Sequence, residues 1–348
     1  MTAPSMASET SALTAAEIVC EGVTKQFVNE PRPAVDHVSF KVEAGNFVVL
    51  LGPSGCGKTT LLKMINRLYE PSGGKIWIGG TEVHYLPATE LRRHIGYVIQ
   101  QVGLFPHMKI DQNVAVVPRL LGWDEQKIKA RVAALMDIVG LPQYYLDRHP
   151  RQLSGGEQQR IGLVRALAAD PPILLMDEPF AAIDAITREC LQEEFLDIQS
   201  KVNKTILFVT HDVEEAFRLA DKIVIMKLGK LVQYGTPLEI VTQPQDEFVQ
   251  ELVGTSNMLR RLSLINVQSV LDARTGWSSE KSEANLQLDG SAVVHPNDDL
   301  RSALSTLLNS GADVLKVIDP HGGQVGEIHF SDLRAALVKH APRSQEQG

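Results

Sequence analysis

A glycine-rich stretch beginning at residue 52 carries the strongest chemical signal in the sequence. It reads Gly-Pro-Ser-Gly-Cys-Gly-Lys-Thr, the pattern G-x-x-x-x-G-K-[ST], between an apolar run and a helical one. Glycines let backbone N–H groups curl around phosphates, the lysine reaches the β- and γ-phosphates, and the hydroxyl of the last residue can ligate Mg²⁺. The motif predicts a nucleoside triphosphate held with Mg²⁺ by these residues: Gly52, Pro53, Ser54, Gly55, Cys56, Gly57, Lys58, Thr59 and Thr60.

Two adjacent acids, Asp177 and Glu178, end the apolar run Ile-Leu-Leu-Met. Such a run is typical of a strand buried in a parallel sheet, and ligands bind beside the carboxyl ends of these strands. An aspartate there holds the metal ion, usually through water, and the following glutamate can polarise the attacking water. Together with the glycine-rich loop, the pair indicates a P-loop NTPase.

A third motif, Leu-Ser-Gly-Gly-Glu-Gln-Gln-Arg from residue 153, predicts a second anion site. A serine hydroxyl and glycine N–H groups at a helix N-terminus favour phosphate, although the same residues also suit a plain helix cap. The motif resembles the LSGGQ signature of ATP-binding-cassette (ABC) proteins, with Glu157 in place of the commoner Gln. The resemblance implies that two chains form a head-to-tail dimer in which each ATP also meets the other chain's signature: Ser154, Gly155, Gly156 and Glu157.

The remaining motifs of that family follow in the expected order. The resemblance implies that Phe27 stacks on adenine, that Gln100 touches Mg²⁺ and the attacking water, and that His211 contacts the γ-phosphate. Gln101 is the neighbouring candidate for the glutamine, and Asp184 matches the D-loop, which reads Ala-Ala-Ile-Asp rather than Gly-Ala-Leu-Asp. The resemblance thus assigns catalysis to Glu178, His211 and Gln100, and metal binding to Thr59, Gln100 and Asp177.

Several longer sequence segments resemble one particular branch of this family. "LRRHIGYVIQQVGLFPHMKI", "LKMINRL" and "LMDIVGL" resemble the ATPases of bacterial importers for glycine betaine, choline and related quaternary amines. The resemblance implies integral-membrane permease partners, an indirect extracytoplasmic solute-binding protein, and a peripheral position on the cytoplasmic face of the inner membrane. An exposed Phe105-Pro106-His107 turn would suit the docking of a permease loop, although the same residues also suit a buried turn.

Other functions remain open at this point. The alternatives are a soluble ABC ATPase acting on DNA or ribosomes, an exporter, and an importer of a different solute. A long coiled coil between the nucleotide motifs is typical of repair ATPases, and fused cassettes are typical of translation factors; this sequence predicts neither. The net charge of −8 and the lack of a basic stripe argue against a nucleic acid as a partner.

The elements that position these residues alternate between strands and helices, which predicts an α/β fold with a mixed, largely parallel sheet. We expect 1–15 to be a disordered leader, 16–255 to be the ABC ATP-binding domain, and 256–289 to be a linker. Within the cassette, about 101–169 reads as a helical subdomain. Three dispersed cysteines predict neither disulfides nor a zinc site, and no apolar stretch is long enough to cross a bilayer.

The C-terminal region, 290–340, resembles one cystathionine-β-synthase (CBS) repeat, a small α+β unit, before a short tail at 341–348. CBS repeats usually work in pairs, so we expect the two tails of an ATPase dimer to pair in trans. Nucleotide-binding repeats follow G-h-h-T-x-x-D; here Asp332 matches, but His329 stands where the hydroxyl belongs. A structural dimer clamp is therefore favoured over a nucleotide or ionic-strength sensor, which stays open.

Overall fold

The computed structural model describes residues 15–100, 103–181, 185–254, 262–272, 292–310, 312, 314–320 and 322–333. Residues 1–14 of the predicted leader, most of the predicted linker, Gln101, Asp184 and residues 334–348 lie outside these ranges. The chain forms two compact units, Met1–Tyr234 and Gly235–Gly348, and each is described by itself.

The first unit contains alternating strands and helices, as the sequence predicts. Its strands are β1 (Ile18–Lys25), β2 (Val35–Val42), β3 (Phe47–Leu51), β4 (Gly73–Ile78), β5 (Thr81–Glu82), β6 (Ile95–Val98), β7 (Ile173–Asp177), β8 (Thr205–Thr210), β9 (Lys222–Lys227) and β10 (Lys230–Gly235). Its helices are α1 (Lys58–Ile65), α2 (Ala88–Arg93), α3 (Ile110–Leu120), α4 (Glu125–Ile138), α5 (Gly155–Leu167), α6 (Ala185–Val202) and α7 (Val213–Leu219). Short 3₁₀ turns occupy Val83–Tyr85, Gln143–Asp147 and Pro150–Gln152.

One sheet has the strand order β10-β9-β3-β8-β7-β6. The pairs β3–β8, β3–β9, β7–β8 and β6–β7 are parallel. All residues of β3 and β8 are buried, because helices cover both faces of a parallel sheet and favour continuous apolar strands. Because these strands are parallel, their carboxyl ends meet at one edge of the sheet, although the strands come from distant parts of the sequence.

A second sheet, with the order β2-β1-β4-β5, is antiparallel. Its central strand, β1, places Ile18 opposite both Val42 and Ile78. Apolar side chains of this sheet, of α1 and of one face of the parallel sheet share one buried cluster. The mixed α/β fold class predicted from the sequence is confirmed.

The segment predicted as a helical subdomain contains α3, α4 and α5. Sequence-encoded caps begin two of these helices: Asp124 accepts a hydrogen bond from the backbone N–H of Lys127, and Ser154 accepts one from Glu157. Asn113 of α3 is buried and donates hydrogen bonds to the backbone carbonyls of Phe105 and Met108. These bonds hold the loop that joins β6 to α3.

The second unit begins before the domain boundary predicted near residue 255. Its elements are α8 (Pro237–Thr242), α9 (Glu247–Val253), α10 (Val267–Asp272), β11 (Val293–Val294), α11 (Leu300–Ser310), β12 (Val314–Ile318) and β13 (Gln324–His329). β11 and β12 are parallel, and β12 and β13 are antiparallel. The earlier start has a packing reason, because Leu238 of α8 packs against the apolar cluster of this unit, which includes Leu262, Leu315 and Ile328.

No helix within the described ranges is both long and apolar enough to span a bilayer.

Candidate functional site

Four predicted motifs follow the carboxyl ends of four adjacent parallel strands. The glycine-rich loop follows β3, His211 follows β8, Glu178 follows β7 and Gln100 lies just beyond β6. The register aligns the strand ends, since Leu51 pairs with Thr210, and Asp177 pairs with Val209. This edge is where open α/β sheets bind ligands, so the topology alone assembles the candidate site.

The glycine-rich loop closely approaches neighbouring backbone. A Cβ atom on Gly57 would lie 2.2 Å from the carbonyl oxygen of Ala34, and one on Gly52 would lie 2.3 Å from that of Met226. The φ angles of these glycines are 107° and 155°, which L side chains rarely adopt. Only glycine therefore permits this loop path.

Lys58 is 4% exposed and its ammonium turns into the loop that precedes it. Its Nζ atom donates hydrogen bonds to the carbonyl oxygens of Gly52 (2.7 Å) and Pro53 (3.0 Å). A buried ammonium needs such partners, and here they lie in the loop that the sequence predicts to bind phosphate. The lysine thus brings a positive charge to the centre of the loop.

Thr59 and Asp177 join the loop to the end of β7. The Thr59 hydroxyl donates a 2.8 Å hydrogen bond to Oδ1 of Asp177. Burial is the largest influence on the Asp177 carboxyl and raises its pKa, while the hydrogen bond from Thr59 partly opposes this rise. A hydroxyl and a carboxylate in contact form an oxygen donor pair of the kind that Mg²⁺ prefers.

Glu178 and His211 meet at the ends of β7 and β8. The Oε2 atom of Glu178 lies 3.1 Å from Nδ1 of His211. The side chain of Glu178 is 20% exposed and that of His211 is 53% exposed, so both can reach a ligand at the surface of the site. Glu178 has a φ of 45°, a left-handed conformation that is uncommon for a residue with a side chain.

The predicted signature forms a capping box at the start of α5. The Ser154 N–H donates to Oε2 of Glu157 at 2.6 Å, and the Glu157 N–H donates to the Ser154 hydroxyl at 3.3 Å. The Tyr145 hydroxyl donates to the other carboxylate oxygen of Glu157 at 2.6 Å. This hydrogen bond has the largest effect on the pKa values of both residues: it lowers the pKa of Glu157 and raises that of Tyr145 to about 12. Glu157 therefore acts as a helix cap in the structure, and its role toward nucleotide stays a prediction.

The other predicted residues lie apart from these contacts or outside the described ranges. Gln100 is exposed on the bend after β6, and Thr60 is half-buried in α1. Phe27 lies on the loop after β1, with its ring edge-to-face with Tyr69 at a centroid distance of 5.4 Å. Asp184 lies outside the described residues.

Sequence reasoning missed two partners of the site. Tyr145 holds the signature glutamate, and Gln159 of α5 donates a hydrogen bond to the carbonyl of Pro179, directly after Glu178. A signal for Gln159 exists, because it lies one helical turn before the apolar Leu163 and hence on the face of α5 that points inward. No comparable pattern singles out Tyr145.

Comparisons with known proteins agree with this geometry. The sequence profile of the family described as "ABC transporter" matches residues 35–181. An osmoprotectant import ATP-binding protein of Salmonella typhimurium is 45% identical over 323 residues, which cover 92% of this chain and 81% of that protein. A glycine betaine uptake system ATP-binding protein of Escherichia coli is 45% identical over 300 residues, which cover 86% of this chain and 94% of that protein.

A further relative is longer than this chain. A choline transport ATP-binding protein of Bacillus subtilis is 54% identical over 246 residues, and the match spans 64% of its length. Among solved structures, a dimeric bacterial ABC transporter cassette has a TM-score of 0.57 at 32% identity, covering 63% of this chain and 98% of that one. The family match and the two relatives agree with the geometry of the glycine-rich loop and of the strand ends. The chain therefore belongs to the ATP-binding proteins of ABC transporters, which bind and hydrolyse ATP.

Proposed function

We propose that this chain is the ATPase subunit of an importer for a quaternary-amine osmoprotectant such as glycine betaine, choline or carnitine. The observation that carries the solute class is the 45% identity that extends over 81% and 94% of two osmoprotectant and glycine betaine ATP-binding proteins. The ATPase itself does not touch the solute, so its own side chains hold no information on which amine is carried.

The proposed hydrolytic site combines the residues at the carboxyl edge of the parallel sheet. Backbone N–H groups of residues 54–57 and the Lys58 ammonium bind the phosphates. Thr59 and Asp177 fit Mg²⁺, which neutralises charge on the β- and γ-phosphates when bound. Glu178 accepts a proton from the attacking water or orients it, and Gln100 would contact that water and Mg²⁺. His211 contacts the γ-phosphate, and Phe27 stacks on adenine.

We further propose a head-to-tail homodimer. Ser154 and Glu157 hydrogen-bond to each other, and Glu157 also accepts a hydrogen bond from Tyr145, so these contacts hold the start of α5 in one conformation. A related cassette at 31% identity was solved as a dimer bound to ADP and phosphate, with a TM-score of 0.56. In the proposed dimer the signature of one chain, and the D-loop with Asp184, complete the nucleotide site of the other.

A permease and a solute-binding protein complete the proposed importer, with this chain on the cytoplasmic face of the membrane. Phe105 supports a docking role, because the residue is 40% exposed while its backbone is held by Asn113 through hydrogen bonds of 2.7 and 3.1 Å. A rigid loop that presents an aromatic side chain suits contact with another protein.

For the C-terminal region we propose a CBS-like dimer clamp. Asp332, the residue that would bind a ribose, accepts a 2.8 Å hydrogen bond from the backbone N–H of His329. This bond gives the carboxylate a local structural role and favours a clamp over a nucleotide sensor.

Uptake of labelled solutes in cells tests the transport proposal. Deletion of the gene should abolish high-affinity uptake of at least one of glycine betaine, choline and carnitine. The wild-type chain should restore it, while Glu178→Gln, produced at the same level, should not. Unchanged uptake of all three amines after deletion would refute the solute class, and rescue by Glu178→Gln would refute the role of hydrolysis.

A further inference from the structure

Gln159 is a buried polar residue in a mostly apolar environment, and the partly exposed Arg160 and Glu194 also line the cavity beside it. The Gln159 side chain is 7% exposed and lies beside this small cavity, which is also lined by Leu163, Met176, Phe180 and Phe195. The cavity volume of about 20 Å³ accommodates no more than a water molecule, so this is not a ligand pocket. A carboxamide in such surroundings requires a partner, because burying it without a hydrogen bond is unfavourable.

The partner of Gln159 is the backbone carbonyl of Pro179, which accepts a hydrogen bond from Nε2. Pro179 has no N–H group, so this carbonyl is its only backbone group capable of hydrogen bonding. The bond crosses from α5, which begins with the signature, to the turn that directly follows Glu178. A side chain on one motif thereby holds the backbone of another.

The turn at Glu178 needs such support. The φ of 45° at Glu178 places a residue with a long side chain in the left-handed region, which persists only where surrounding contacts determine it. On one side the Glu178 N–H donates to the carbonyl of Val209 at 3.0 Å, and Ala181 donates to the carbonyl of Glu178 at 3.2 Å. Gln159 adds the contact to the next peptide, Pro179, from outside the turn.

We propose that Gln159 is a positioning residue for hydrolysis: its hydrogen bond to Pro179 keeps the Glu178 carboxylate aimed at the attacking water. The inference rests on the proposed role of Glu178. Ser154 of the signature caps the start of α5. The same hydrogen bond therefore makes the orientation of the Glu178 carboxylate depend on the position of α5. Movement of α5 would then change hydrolysis without any change in the phosphate-binding loop.

A second link between α5 and the neighbouring helix provides a matched control. Arg160, the next residue along α5, forms a 2.7 Å ion pair with Glu194 of α6, and both side chains are partly exposed. This pair joins α5 to α6, and the hydrogen bonds of Arg160 within the described residues go to Glu194 and to the carbonyl of Val139, not to the Glu178 turn. A variant of Arg160 therefore tests general loosening of α5, whereas a variant of Gln159 tests the link to Pro179.

The experiment compares steady-state ATP hydrolysis and equilibrium ATP binding of the purified full-length chain with those of Gln159→Leu and Arg160→Gln. Leucine has a similar volume and suits the apolar surroundings, so it removes the hydrogen bond without opening a cavity. We expect kcat to fall about tenfold or more in Gln159→Leu, because a misaimed catalytic group weakens transition-state stabilisation, while KM for ATP changes less than about twofold. Arg160→Gln should keep kcat within about twofold.

The double variant Gln159→Leu/Glu178→Gln shows whether the effect acts through Glu178. If Gln159 positions that carboxylate, the substitution should lower kcat no further in the Glu178→Gln background, because residues that act as a unit are not additive. Gln159→Asn keeps the amide but shortens the side chain, so the amide no longer reaches the Pro179 carbonyl. Its kcat should resemble that of Gln159→Leu, and it replaces the leucine variant if that variant does not fold.

The outcomes separate this inference from the proposed function. Wild-type kcat in Gln159→Leu together with an inactive Glu178→Gln would overturn the inference and leave the proposed function standing. Equal losses in Gln159→Leu and Arg160→Gln, a parallel rise in KM, or additive losses in the double variant would also overturn it. Wild-type kcat in Glu178→Gln would instead overturn the proposed function.

Discussion

Glu178 and His211 are 33 residues apart in sequence, yet the carboxylate of one lies 3.1 Å from the imidazole nitrogen of the other. The contact arises because β7 and β8 are adjacent and parallel, with Asp177 in register with Val209. The two side chains that follow these strands therefore emerge together at the edge of the sheet. This pair is the centre of the proposed hydrolytic site.

Replacement of Glu178 by Gln should separate binding from hydrolysis. The amide keeps the size of the side chain but cannot accept a proton, so steady-state ATPase should fall by about 10²-fold or more. ATP affinity, measured by equilibrium binding, should stay within a few-fold, and the nucleotide-sandwiched dimer should accumulate. Glu194→Gln, the same change at a partly exposed ion pair, is the control and should retain full activity. ATPase within a few-fold of wild type in Glu178→Gln would contradict the assignment.

Alanine at Gly57 should abolish ATP binding by distorting the loop. Its Cβ would lie 2.2 Å from the Ala34 carbonyl oxygen at a φ of 107°, so the backbone must move. Gly55 provides a matched comparison, since its φ is 78° but a Cβ there meets nothing within 4 Å. We expect Gly55→Ala to weaken binding far less than Gly57→Ala, as measured by titration with a fluorescent ATP analogue. Similar losses in both would show that backbone conformation, not steric contact, dominates.

Cys56 should react slowly with maleimide in the native protein, with or without MgATP. Cys56 belongs to the glycine-rich loop that is predicted to bind phosphate, yet it is only 3% exposed. Burial also raises the pKa of the thiol, so less of the reactive thiolate exists at neutral pH than in an unfolded chain. Peptide mapping by mass spectrometry should find labelling of Cys56 at least about tenfold faster in guanidinium chloride than under native conditions. Equal rates in the two conditions would contradict this prediction.

The Tyr145–Glu157 hydrogen bond should contribute stability that depends on pH. The bond lowers the folded-state pKa of Glu157 from 4.5. A lowered folded pKa stabilises the protein above the unfolded value, and this contribution is lost as pH falls through the folded value. Tyr145→Phe should therefore be less stable than wild type in urea unfolding at pH 7, and the difference should shrink below about pH 4.5. A difference that does not depend on pH would show that the phenol acts through packing alone.

Removal of the C-terminal region should weaken dimerisation without nucleotide, if the tails pair in trans. The sheet face opposite the buried cluster presents Val314, Ile318 and Val325, but also Lys316 and Glu327. Because charged residues interrupt the apolar surface of this face, we expect a modest effect. Sedimentation of a chain truncated after Thr255 should show a smaller dimer fraction than the full-length chain.

A truncation can also disturb packing, because Leu238, before the cut, packs against the cluster of the second unit. Val325→Glu in the full-length chain, which changes only the 38% exposed outer face, is the second variant. Unaltered dimerisation in both variants would refute the clamp. Saturable binding of AMP or ATP by the full-length chain with an inactivated P-loop, lost on truncation, would favour the sensor instead.

Sequence patterns alone predict the features of this protein that are local or that follow from strand order. The P-loop pattern, the acids after β7 and the histidine after β8 each occupy a few consecutive residues, and parallel strands must bring their carboxyl ends to one edge. The capping box at Ser154 and Glu157 is equally local, since the two residues are one helical turn apart. For these reasons the α/β class, the family and the candidate site could be predicted without coordinates.

Which distant side chains meet depends on the tertiary packing. Gln159 contacts Pro179, 20 residues further along the chain, only because the tertiary fold places α5 beside the turn that follows β7. Cys56 is buried because the loop folds onto the end of β9, and α8 joins the second unit because Leu238 packs there. Such contacts depend on the angle and depth at which helices lie on a sheet, and many side chains of similar pattern are compatible with several packings. Residue spacing specifies a motif, but packing selects its partners.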